Sequence, residues 1–126
     1  MKTTALFTFL CLAPLPGLAG DLYADSKAGC SVILASEDGI LDYAAEGGLV
    51  LDASGYQSIE YHCSFEPKID FKASGDQITT HMGYCMEPGP YITPQLFSVM
   101  LDPYLPGVVK VFTGADEPIE FFSCSS

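Results

Sequence analysis

Turn signals punctuate this chain so often that no long regular element fits between them. Glu37-Asp38-Gly39, Gly47-Gly48, Ala53-Ser54-Gly55, Pro67, Ser74-Gly75-Asp76, Pro88-Gly89-Pro90, Pro103, Pro106-Gly107 and Gly114-Ala115-Asp116 leave short runs rich in β-branched and aromatic residues. That is the pattern of many short strands. The expected fold class is all-β, a small antiparallel β-sandwich or barrel-like meander. No repeat of fixed period and no low-complexity tract interrupts it.

Alternation supports the reading in the middle of the chain. From Ser58 to Phe65 the odd positions are Ile59, Tyr61, Cys63 and Phe65, and the even ones are Ser58, Glu60, His62 and Ser64, a period of two with one face in the core. Ile69, Phe71 and Ala73 then alternate against Asp70 and Lys72, with Pro67 at the intervening turn. A third run, Gln77 to Cys85, places Ile78, Thr80, Met82 and Tyr84 on one side. With Ser74-Gly75 as a two-residue loop, Phe71 lies opposite Ile78 and these sets match as inward faces. Residues 57–85 thus read as a three-stranded meander. On the flanks, 31–34 and 49–51 read as buried strands, and 40–46 as a strand or one helical turn. Residues 108–112 and 119–124 read as a final hairpin. For 93–101, Thr93-Pro94 offers a helix start, while Phe97-Ser98-Val99 alternates; the strand is favoured.

The N-terminus carries an address. Lys2 precedes the apolar run from Ala5 to Ala13, Pro14 and Pro16 break it, and Gly17 and Ala19 are small, which together form the pattern of a secretory signal peptide over residues 1–19. The run is too short to span a membrane, and Cys11 lacks the small residues a lipoprotein site needs before it. Residues 20–126 are then a single exported β domain, expected in the periplasm or secreted.

Charge narrows the partners. The whole chain has 5 basic against 16 acidic residues and a formal charge of −11; Lys2 leaves with the leader. Arginine is absent, so nucleic acid, phosphate groups and an anionic membrane surface are disfavoured as partners. A basic protein or envelope component is favoured electrostatically, and an acidic surface also serves solubility. Asn is absent too, which removes N-linked glycosylation.

Four cysteines remain after the leader: Cys30, Cys63, Cys85 and Cys124. None forms a close Cys-X-X-Cys pair, so two disulfides are expected rather than a zinc site or a redox motif. Three connectivities are open; chain order suggests Cys30 with Cys63 and Cys85 with Cys124.

Catalytic signatures are weak. His62 and His81 are the only imidazoles, and with Glu60 they offer an alternative reading as a small hydrolase or metal-binding protein. Ser58 or Ser64 could complete a triad with them, without any nucleophile-elbow context. Paired carboxylates for sugar chemistry lack a Trp-lined cleft, and Asp38, Asp42, Asp116 and Glu117 lack the spacing of a calcium loop. No phosphate-cradling glycine loop is present. No cofactor is expected, and the chain reads as non-enzymatic.

What remains is a surface. Residues 83–91 join Tyr84, Met86, Glu87 and Tyr91 to rigid Pro-Gly-Pro punctuation beside a cysteine, and Tyr104 lies between two prolines. Restrained tyrosines near a staple suit a preorganised contact site, and they also serve as edge packing. In export, size, β patterning and acidity the chain resembles small periplasmic inhibitors of lysozyme, departing from them in its four cysteines. The resemblance implies a basic hydrolase as target and assigns no site residue. The expected function is a binding module presenting this Tyr/Pro-rich loop to a basic protein, such as a hydrolase it inhibits. A structural subunit of an envelope assembly is the other alternative.

Overall fold

Eight strands, each hydrogen-bonded antiparallel to the next and the last to the first, close into a barrel in the computed structural model, which describes residues 21–73, 78–89 and 91–125. The leader and the Ser74-Gly75 loop lie outside the described residues. The strands are β1 (Tyr23–Ala24), β2 (Val50–Asp52), β3 (Gly55–Gln57), β4 (His62–Glu66), β5 (Ile78–Glu87), β6 (Tyr91–Leu101), β7 (Val108–Phe112) and β8 (Ile119–Ser123). Two helices, α1 (Lys27–Ala35) and α2 (Gly39–Ala45), stand between β1 and β2. Of the two architectures the sequence allowed, the barrel is the one formed.

The barrel is filled rather than hollow. Tyr23, Leu51, Tyr56, Phe65, Phe97, Val99, Val109, Val111 and Phe121 pack as one buried cluster. Tyr56 is its hub, with ring centroids 6.0 Å from Phe65, 6.2 Å from Phe97 and 5.7 Å from Phe121. Burial, with the Tyr61 phenol adding to it, holds the Tyr56 hydroxyl far above its usual titration range, so the hub stays neutral. His81, the buried polar residue among those described, is 2% exposed and lies with its ring centroid 5.6 Å from that of Phe65. Its Nδ1–H donates to the Pro67 carbonyl and its Nε2 pairs with the Thr79 hydroxyl at 2.7 Å, which ties the loop after β4 to the barrel wall.

Several local expectations need correction. Residues 31–34 lie inside α1, not in a strand: Ser26 caps the helix by accepting from Gly29 N–H at 3.0 Å, and Gly29 and Ile33, four apart, are its buried face. Residues 40–46 take the helical option. The strand expected over 58–65 begins only at His62, because Ser58 N–H donates to the Tyr61 carbonyl at 2.7 Å and closes a turn; Ile59 is exposed on it. Residues 69–73 are not a strand but a plug. Ile69 is buried, its N–H donates to Ala53 at 2.8 Å, and Phe71 stacks on Tyr23 at 4.7 Å. The strand through 93–101 and the final hairpin are as expected.

The disulfides join Cys30 to Cys124 and Cys63 to Cys85, not the pairs that chain order suggested. Cys63 and Cys85 are direct register partners on β4 and β5, so their sulfurs meet across the ladder. That bridge also sets which way β5 faces. Because Cys63 and Cys85 point inward, His81 and Cys85 are buried, while Thr80, Met82 and Tyr84 are exposed. The face expected inward is the outer one. Both bridges are compatible with an oxidising compartment.

The outer surface divides in two. Over β1, β2 and β8 the helix pair forms a second core of Ala24, Ile33, Tyr43, Val50 and Cys124. Tyr43 organises it: its hydroxyl donates to Asp25 Oδ1, which also accepts from Leu49 N–H, and it accepts from the Ser26 hydroxyl at 2.9 Å. Burial first, then Asp25, raises the Tyr43 pKa. Gly29 and Gly48 leave room for its ring, since a Cβ on either would lie 2.3 to 2.4 Å from it. Over β4, β5 and β6 the described residues supply no such cover.

Candidate functional site

The bare outer face follows from strand register. Met82 pairs with Leu96, Tyr84 with Pro94 and Met86 with Ile92 across β5 and β6, so these six side chains share one side of the hairpin. Met82, Ile92 and Leu96 are 67%, 59% and 63% exposed, and Tyr84 and Met86 are exposed as well. On one flank, β4 brings His62 beside Met86, Ser64 beside Tyr84 and Glu66 beside Met82. Neither β5 nor β6 contains a lysine.

Two adjoining hollows run along this flank, sharing Gln57 and His62. The first, about 190 Å³, lies between the β2–β3 turn and β5 and is edged by Asp52, Ser54, Ser64 and Tyr84. It exists because the register row Asp52, Gly55, Ser64, Tyr84 has no side chain at its second position. Gly55 is required there: its φ is +150°, and a Cβ would sit 1.9 Å from the Cys63 carbonyl oxygen. The second hollow, about 380 Å³ and shallower, is edged by Ile59, Glu60, Met86 and Glu87. His62 and Tyr84 form the wall of the first, their rings parallel within 7° and their centroids 6.3 Å apart.

The arrangement gathers some expected residues and scatters others. Tyr84, Met86 and Glu87 lie together, although on the end of β5 rather than in a loop, and Tyr91 faces Glu87 across the hairpin. Tyr104 does not join them. It follows the far end of β6, a strand of 11 residues that spans on the order of 30 Å. His62 and Glu60 border the groove, whereas His81 is inside the barrel, so the three cannot hold one ion. Among the described residues no group of three or more His, Cys, Asp and Glu is placed to hold a metal. Ser64, His62 and Asp52 share the first hollow, but Asp52 accepts from Ser54 N–H at 2.7 Å. No hydrogen bond links the other two to it or to each other, so the base-to-nucleophile contact of a triad is missing.

Met82, Ile92, Leu96 and Asp52 were not anticipated, and Ser64 was considered only as a triad nucleophile. Met82 was legible in principle, because pairing Cys63 with Cys85 turns every even position of β5 outward, and Ile92 and Leu96 follow from it through the β5–β6 register. Asp52 and Ser64 meet through the β2–β3–β4 pairing; the Ala53-Ser54-Gly55 turn was legible, but the β3–β4 turn over Ser58-Ile59-Glu60-Tyr61 carries no Gly or Pro signal. Comparison with protein-family models, with curated proteins and with solved structures gives no match.

Proposed function

We propose that this protein is an exported, non-enzymatic binding module that docks a basic protein, such as a hydrolase it inhibits, on the outer face of β4, β5 and β6. The observation that carries the reading is the uncovered apolar row of Met82, Tyr84, Met86, Ile92, Pro94 and Leu96. Contiguous exposed apolar surface of this kind is characteristic of interaction sites. Its charged neighbours are Glu60, Glu66 and Glu87, so a partner with apolar residues ringed by cations is complementary, and a second copy of this acidic chain is opposed. The leader pattern at residues 1–19 and the two disulfides support export to the periplasm or beyond.

The alternative of a structural envelope subunit draws on one observation. β7 pairs with β6 only over Ser98–Leu101, which among the described residues leaves the first half of β6 without a strand neighbour on that side. Pro94 sits in that edge and removes a donor, which blunts strand addition. The docking face is therefore the stronger reading.

The test is capture from envelope and secreted fractions by the oxidised protein at low and moderate salt, beside a Met82→Ser/Leu96→Ser variant. The reading requires one basic protein, retained at low salt, shed as salt rises and lost with the variant. A partner indifferent to both substitutions would remove the face from consideration.

A further inference from the structure

We infer that the hollow between Asp52 and Tyr84 is a receptor for an arginine side chain of the docked partner, an inference that rests on the binding-module reading above. Size comes first. Pockets for small metabolites enclose roughly 300–1,000 Å³, and this one is about 190 Å³, the scale of one side chain.

Its lining selects the charge. Asp52 supplies a carboxylate held in place on one oxygen by Ser54 N–H, Ser54 and Ser64 supply hydroxyls, and Gln57 supplies an amide. Tyr84 and His62 supply parallel ring faces. Among the described residues no lysine lines the hollow. A planar guanidinium matches this set better than an ammonium does, because it forks onto a carboxylate and stacks on a ring at once.

Among the described residues no cation is placed to fill the hollow. The chain contains no arginine. Lys27 lies over the Phe122 ring on the helix-covered side, and Lys110 pairs with Asp102 at 3.4 Å. Lys68 and Lys72, in the loop after β4, make no ion pair with Asp52. A partner that covers the row of Met82, Tyr84 and Met86 passes directly over the hollow, since Tyr84 belongs to both.

The test uses the full oxidised chain and three probes, the N-acetyl N-methylamides of arginine, lysine and citrulline, followed by NMR. The arginine compound is expected to shift the resonances of Asp52, Ser64, His62 and Tyr84 saturably in the millimolar range. The lysine compound should bind several-fold more weakly, and the uncharged citrulline compound should be silent. Asp52→Asn keeps the acceptor for Ser54 N–H and should weaken arginine binding about tenfold; Tyr84→Leu keeps bulk without the ring and should weaken it several-fold. Equal shifts from all three probes, no shift from arginine, or unchanged binding in both variants would overturn the assignment. The two readings fail separately. Partner capture that survives Asp52→Asn while the arginine probe is silent leaves the docking face standing without the receptor. Arginine binding at the hollow with no partner captured leaves the receptor and removes the docking face.

Discussion

One register row crosses from the covered side of the barrel to the bare side. Ala24 and Val50, at 0% and 3% exposure, lie beneath the helix pair; Gln57 and His62 mark the boundary; Met86 and Ile92, at 39% and 59%, stand in the open. All six point outward from the same closed ladder. Among the described residues, the chain carries its own apolar cover for one end of the row and none for the other. Apolar outer positions are thus treated in two ways: beneath α1 and α2 they are buried, and along β5 and β6 they are exposed, which is the contrast on which the docking proposal rests.

The comparison predicts different responses to the same chemistry. The largest concerns the covered side. Replacing Cys30 and Cys124 by Ser opens a bridge across 94 residues and should cost about 4–5 kcal/mol, against about 3 kcal/mol for Cys63 and Cys85, in the chain-entropy account of a disulfide. Denaturant midpoints of the two double variants decide it, and an equal or reversed order would show that the helix cover is not held chiefly by its staple. Next, Ile33→Ala under the cover should cost about 3 kcal/mol, whereas Leu96→Ala on the bare face should stay within about 0.5 kcal/mol. A costly Leu96→Ala would mean that the bare face is part of the core after all. Gly29→Ala is expected to cost about 2 kcal/mol by forcing a methyl against the Tyr43 ring, with loss of native near-ultraviolet signal from that tyrosine as a second readout.

The smallest effect lies away from both faces. Asp102 accepts from Tyr104 and Leu105 N–H at 2.9 and 3.1 Å and pairs with Lys110; these contacts, the Tyr104 hydrogen bond foremost, hold its carboxyl below the usual range. Its contribution is complete above the ordinary carboxylate pKa and fades as pH falls through the depressed value. Asp102→Asn should flatten that acid limb of the stability profile without altering the neutral-pH docking experiment.

Elements whose character is local were legible. The final hairpin and the strand ending at Leu101 carry alternating β-branched and aromatic residues, and both form as read. Helix α1 was missed because Val32-Ile33-Leu34 suits a buried strand or a buried helix equally, and the deciding residue, Ser26, lies seven positions before that run's centre in an otherwise unremarkable stretch. Alternation over 69–73 proved coincidental: Ile69 and Phe71 are apolar because they plug the barrel, not because they face across a sheet. The inversion of β5 has a different origin. Whether Tyr84 points in or out depends on parity relative to Cys63, twenty-one residues away, and a one-residue change in pairing exchanges the faces. Of the candidate site, Tyr84, Met86 and Glu87 were visible as a cluster. Their neighbours Asp52 and Ser64 are made neighbours by the fold.

The seam where β8 meets β1 has a kinetic consequence. Every other strand contact except β1 with β2 joins neighbours in sequence through a connection no longer than the one over residues 67–77, but Tyr23 pairs with Ser123 and Ala24 with Phe122, about 100 residues apart in a ladder only two pairs long. Such a contact has a high closure entropy and little to repay it, so the hairpins from β3 to β8 should assemble first and the ring should shut last. Cys30–Cys124 sits beside that seam. In an oxidising compartment it acts as a ratchet on the final step, turning a weak and late encounter between the two ends of the barrel into one that persists.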